Sequence, residues 1–171
     1  MNLHPLLVHF PIALLTLYAV LELGRKFLKQ DFWFYVKAVL VVCGVTGAGM
    51  AILSGLLIES QFSNATAAVE LHSHIQEAAS FFFGLLAVGY SISWLQRYLK
   101  IDFGARFGTV GVWAAKYEHL VLETPVVYLL TLLAMTLIFV GSALGGAIAF
   151  GANVDPFTQI IYGLLVNKFS L

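Results

Sequence analysis

Charge is scarce in this sequence. Nine Lys and Arg balance nine Asp and Glu, together 11% of 171 residues, where a soluble domain carries about 25%. So few ionised groups cannot cover a water-facing surface, and the 60% apolar content exceeds the roughly 45–50% of ordinary domains. A formal net charge of zero leaves no basic footprint for nucleic acid. The single cysteine, Cys43, excludes an internal disulfide and any cysteine-based metal cage, and leaves the redox compartment open. Also missing is a basic stretch ahead of the first apolar run. Met1 to Leu7 hold no Lys or Arg, and Arg25, Lys26 and Lys29 come after it. A cleaved leader has the opposite order, so a retained first helix is expected.

What is present is a set of four apolar runs, 5–23, 38–58, 75–95 and 126–150. Each approaches the roughly 20 residues that span a hydrocarbon core, and the second and fourth hold no charge. Backbone groups in a bilayer have no water to bond, so these runs are expected to be helices. The expected class is all-α: an integral membrane bundle of four transmembrane helices over 1–154, with a short amphipathic helix over 155–171. Asp155-Pro156 reads as an N-cap followed by Pro at the first helical position. Phe157, Ile160, Ile161, Leu164 and Leu165 then recur at helical spacing, which suits an interfacial helix or a partner contact.

The basic residues orient the bundle. Arg25, Lys26, Lys29 and Lys37 flank the first connection, and Arg97, Lys100, Arg106 and Lys116 lie in the third; Lys168 stands apart. The positive-inside rule places the basic loops 24–37 and 96–124 on the cytoplasmic side of a bacterial inner membrane, or the matrix side of an organellar one. Both termini and the second connection, with the possible acceptor Asn64-Ala-Thr66, then lie outside. Trp113 and the aromatics around it place the third connection at the interface.

This topology gathers four of the five histidines at the outer end: His4 and His9 on the first helix, His72 and His74 at the start of the third. Imidazole near hydrocarbon is costly without a partner, and it is a common metal and haem ligand. His4 and His9 are about 140° apart on an ideal helix, unless Pro11 distorts the first turns. His72 and His74 are about 200° apart, so only one can face the bundle. One histidine from each helix, for instance His9 opposite His74, is the arrangement a b-type haem needs. A mononuclear metal on several imidazoles with Glu70 or Glu77 is the alternative, and plain interfacial hydrogen bonding is the simpler reading of any single one. His119, beside Tyr117 and Glu118, reads as interfacial. No carboxylate or basic residue is expected buried in mid-membrane, so the usual parts of a proton relay or ion-coupled transporter are missing.

Two small-residue ridges, Gly47-Ala51-Gly55 and Gly141-Gly145-Ala149, follow the four-residue spacing that lets helices approach closely. Helix packing explains them, and a flat slot for a tetrapyrrole or quinone ring is the competing reading.

The run His4-Pro5-Leu6-Leu7-Val8-His9-Phe10-Pro11-Ile12-Ala13 resembles the opening motif of a bacterial family of predicted four-helix membrane proteins classed as a domain of unknown function. The likeness extends through Gly55, the His74-Ile-Gln-Glu-Ala78 start of the third helix, and Gly145-Gly146. It implies His4, His9 and His74 as the family's histidines, with His72 extra. Some members are joined to c-type cytochrome domains, which implies electron transfer. Many carry an acid and a histidine just after the paired glycines; here Ala147 to Gly151 have neither. The expected function is a haem b-binding membrane subunit of a respiratory-type electron-transfer complex. His9 and His74 would ligate the iron near the outer face, with His4 or His72 supporting those ligands or taking the place of one. Lipid, other membrane or cytochrome subunits and a quinone are the expected partners. The alternatives are a cofactor-free structural or assembly subunit and an outer-face non-haem metal site. No self-contained enzyme is indicated.

Overall fold

The computed structural model describes residues 4–59 and 67–166, and every regular element among them is helical. The second connection around Asn64-Ala-Thr66, and the C-terminal residues with Lys168, lie outside the described residues. Six α-helices follow in order: α1 (His4–Leu23), α2 (Phe32–Glu59), α3 (Ala67–Leu99), α4 (Phe103–Glu118), α5 (Val126–Phe150) and α6 (Pro156–Leu165). A 3-10 turn, Arg25–Phe27, follows α1, and a π-turn, His119–Glu123, leads into α5.

Helices α1, α2, α3 and α5 close a ring in that order, each packed on the next and α5 packed back on α1. Stretches within α2, α3 and α5 are long and apolar enough to cross a membrane, namely Phe32–Leu56, Ala67–Tyr98 and Val126–Phe150; the apolar stretch in α1, Leu7–Leu23, is shorter. The 33 residues of α3 rise about 50 Å, against roughly 30 Å of hydrocarbon. Its first turns, with Glu70 and His74 exposed, lie before the apolar run that starts at Ile75.

Small residues set the close approaches. A Cβ on Gly44 would meet Leu15, and one on Gly47 would lie 3.2 Å from Phe10 and 3.4 Å from Pro11, so α1 seats against the first ridge. On α5, a Cβ at Gly141 would fall 2.8 Å from Gln76 Nε2, and one at Gly145 would fall 3.0 Å from His72 Cε1. Close backbone approach at small-residue ridges is the usual means of packing helices in lipid. Inside the ring, Tyr18, Phe83, Leu86, Val41 and Val127 are fully buried. Tyr18 meets Phe83 and Tyr90 edge-on, with ring centroids 6.1 and 5.7 Å apart. Outside it, Leu17, Leu53, Phe81 and Leu129 are exposed, one on each ring helix. The hydroxyls of Thr46 and Thr136 return to their own backbone, at the Val42 and Leu132 carbonyls, which satisfies them without water.

The third connection is a helix rather than a loop. Asp102 caps α4 by accepting from the Ala105 N–H at 3.1 Å, and α4 bends where Gly108 takes φ 55°. That bend brings the Phe103 carbonyl against Gly111, where any Cβ would collide with it. Tyr117 ties α4 to α3 by donating to the Leu85 carbonyl at 2.7 Å, and burial raises its phenol pKa above the usual value. Helix α6 packs on α5: Thr158 is buried beside Gly146, while Phe157, Ile160 and Leu164 remain exposed.

Candidate functional site

The histidines divide by what they touch. His4 is the first residue of α1, and His9 is exposed in its second turn. Both His72 and His74 fall within α3, so their spacing sends them to different faces. His72 points into the ring, its Nδ1 2.8 Å from the Gly141 carbonyl oxygen. A carbonyl only accepts, so Nδ1 carries the proton and Nε2 holds the lone pair in the neutral ring. His74 is exposed, its ring nitrogens 3.9 Å from Glu70 and 3.8 Å from Glu77 on the same helix. The structure thus brings His72 and Gln76 together on the Gly141-Gly145 ridge and leaves His74 among carboxylates on the outer face of α3.

The imidazoles have the chemistry of haem ligands. On α5, Gln76 lies against Gly141 and His72 against Gly145, and on α2 Phe10 and Pro11 lie against Gly47. Helices α1 and α3 stand across the diagonal of the ring, with His9 and His74 each exposed on its own helix. Among the described residues no group of three His, Cys, Asp or Glu could hold a metal ion.

A second polar site lies at the opposite end, and sequence reasoning missed it. Glu22, in the last turn of α1, is fully buried, and Lys37 on α2 is nearly so. The Glu22 carboxylate accepts from Lys37 Nζ at 2.9 Å, from Arg25 at 3.3 Å and from the Tyr90 hydroxyl of α3. Arg25 also donates to the Leu122 carbonyl at 2.7 Å. One carboxylate therefore joins α1, α2, α3 and the π-turn. A charge taken out of water needs a partner and further hydrogen bonds to offset desolvation, and here each is supplied by a different element. These ions are buried at the ends of the helices rather than mid-span, a burial that the expectation about mid-membrane charges did not address. The available signal was Glu22 itself, a lone acid inside the first apolar run and three residues before Arg25.

The cluster floors a cleft of about 220 Å³. Arg25, Lys29 and Lys37 line it from the first connection and α2, and Arg97 from the end of α3. The guanidinium of Arg97 stacks 4.1 Å from the Phe34 ring centroid. Basic residues of the first and third connections thus share one end of the bundle.

A ring of long apolar helices that exposes large apolar side chains and buries its ion cluster at one end defines a helical membrane protein. The chain belongs to the family described as "Predicted membrane protein (DUF2231)", whose model matches residues 1–156. No curated protein and no solved structure matches it.

Proposed function

We propose that the chain is a four-span membrane subunit that serves as a structural partner in a larger membrane assembly and holds no cofactor inside its own bundle. The observation that carries this reading is the packing of the chain's own side chains on the ridge glycines, Phe10 and Pro11 at Gly47 and Gln76 and His72 at Gly141 and Gly145. A planar ring would have to displace them. The exposed apolar side chains Leu17 and Val20 on α1 support a fourth span, since they match the outward residues of the three longer helices. The positive-inside rule then sets the cleft end in the cytoplasm or matrix, with both termini outside. The outward stripe Phe157-Ile160-Leu164 of α6 suits contact with lipid or a neighbouring subunit.

A second reading, a b-type haem of an electron-transfer complex, is favoured by one observation. The Nδ1–H of His72 is anchored on the Gly141 carbonyl, the kind of bond that orients ligand histidines and fixes their tautomer. The histidine so held, His72, would be one ligand of such a haem, which would supply one-electron transfer. His9 and His74, exposed on helices across the diagonal of the ring, would have to move to meet on one iron.

One purification separates the two. The chain is expressed with haem supplied, extracted in mild detergent, and examined by reduced-minus-oxidised spectroscopy and by native electrophoresis of the solubilised host membranes. The structural reading expects a featureless spectrum and a band well above the mass of the isolated chain. Sharp b-type bands that vanish in His72→Ala, or in both His9→Ala and His74→Ala, would replace it with the haem reading. A band no larger than the isolated chain would remove the assembly role.

A further inference from the structure

We propose that the cleft at the basic end binds a phosphate ester, presented by the headgroup of an anionic membrane lipid. The argument begins with charge. Four cationic side chains line the cleft, against the exposed carboxylates Asp31 and Glu123 and the buried Glu22 beneath Arg25 and Lys37, which leaves an excess of one positive charge, carried at the rim. Arg25 and Lys37 form the floor, held in place by the buried Glu22. Lys29 and Arg97 are exposed at the rim, and among the described residues neither makes an ion pair. Arg97 is nonetheless fixed, because its guanidinium stacks on Phe34 at 4.1 Å. Fixed guanidinium and ammonium groups converging from separate elements suit phosphate, whose several oxygens accept from more than one donor.

Position selects the lipid. The cleft opens beside the first turn of α2, where Trp33 lines it and Phe32 is exposed, an aromatic setting typical of the bilayer interface. This step rests on the four-span reading, which puts the basic end at the anionic cytoplasmic leaflet. Basic pockets between spans on that side are suited to anionic headgroups.

The test uses the full chain in nanodiscs of zwitterionic phosphatidylcholine, into which phosphatidylglycerol is titrated, with retained lipid counted by native mass spectrometry. The wild-type chain should retain phosphatidylglycerol in preference to phosphatidylcholine. Arg97→Gln and Lys29→Gln should each weaken that retention about fivefold, the effect of one interfacial charge. Both residues lie outside the Glu22 contacts, and unchanged helix content by circular dichroism shows that the variants fold. Displacement of the lipid by millimolar inorganic phosphate, weakened by the same variants, supports the phosphate site and assigns its ligand to the soluble ion. Equal retention of the two lipids, or no effect of either variant, overturns the proposal. A chain that alkaline carbonate strips from its membrane sinks the four-span reading instead, and the two failures are distinguishable.

Discussion

At the residue scale, Glu22 governs more of the bundle than any other polar side chain described. It is fully buried and accepts from donors on three elements. Truncating it strands Lys37 and Arg25 without their counter-charge, a loss that typically costs about 3–5 kcal/mol. Glu22→Ala is therefore expected to lower the detergent-solution unfolding temperature steeply. The double variant Glu22→Ala with Lys37→Met should recover part of the loss, because it removes one stranded cation. Equal unfolding temperatures for wild type and Glu22→Ala would show that the buried cluster is not what joins these elements. His72 and His74 show the limit of reasoning at this scale. Their spacing requires that they face apart, but the sequence alone does not say which turns inward. The close approach of α3 to the glycines of α5 selects His72.

At the element scale, caps and glycines decide what periodicity leaves open. The glycines of the third connection look like loop residues, yet Gly108 and Gly111 are what allow α4 to bend over its own first turn. The Asp155-Pro156 signal, by contrast, was legible: Asp155 caps α6, its carboxylate accepting from the Thr158 N–H at 2.9 Å and the Thr158 hydroxyl at 2.6 Å. Those bonds lower the Asp155 pKa from its usual value. A depressed folded pKa means that the contribution is complete above the unfolded value of roughly 4 and is lost as pH falls through the lower folded value. Amide protection factors in α6 should thus hold steady from neutral pH to about 4.5 and fall in stronger acid. Asp155→Asn, which can still cap, should remove that acid step. Protection that declines near neutral pH would mean that another group controls the docking of α6.

At the scale of the whole molecule, the ring of α1, α2, α3 and α5 brings the basic residues of two connections to one end. Arg25, Lys29 and Lys37 share a cleft there with Arg97, some sixty residues further along the chain. The four-span reading makes this end cytoplasmic and puts the connection from α5 to α6 on the other side. In a Cys43→Ser background, Lys26→Cys and Asn153→Cys should therefore react with a membrane-impermeant maleimide from opposite sides of sealed vesicles. Labelling of both from one side would remove one of the proposed crossings.

The sequence by itself determined the class of this protein, because composition and run length follow from the solvent each residue must face. Charge-poor runs of about twenty residues have no stable place in water, and in lipid only helices satisfy their backbones. The N-cap of α6 and the grouping of basic residues were readable for the same reason, being local or additive. Tertiary structure decided which polar groups are buried together. Glu22, Lys37 and Tyr90 are far apart in sequence and meet only because α1, α2 and α3 converge. It also decided which side chains pack on Gly47, Gly141 and Gly145, since what a ridge meets depends on which side chains arrive from the neighbouring element.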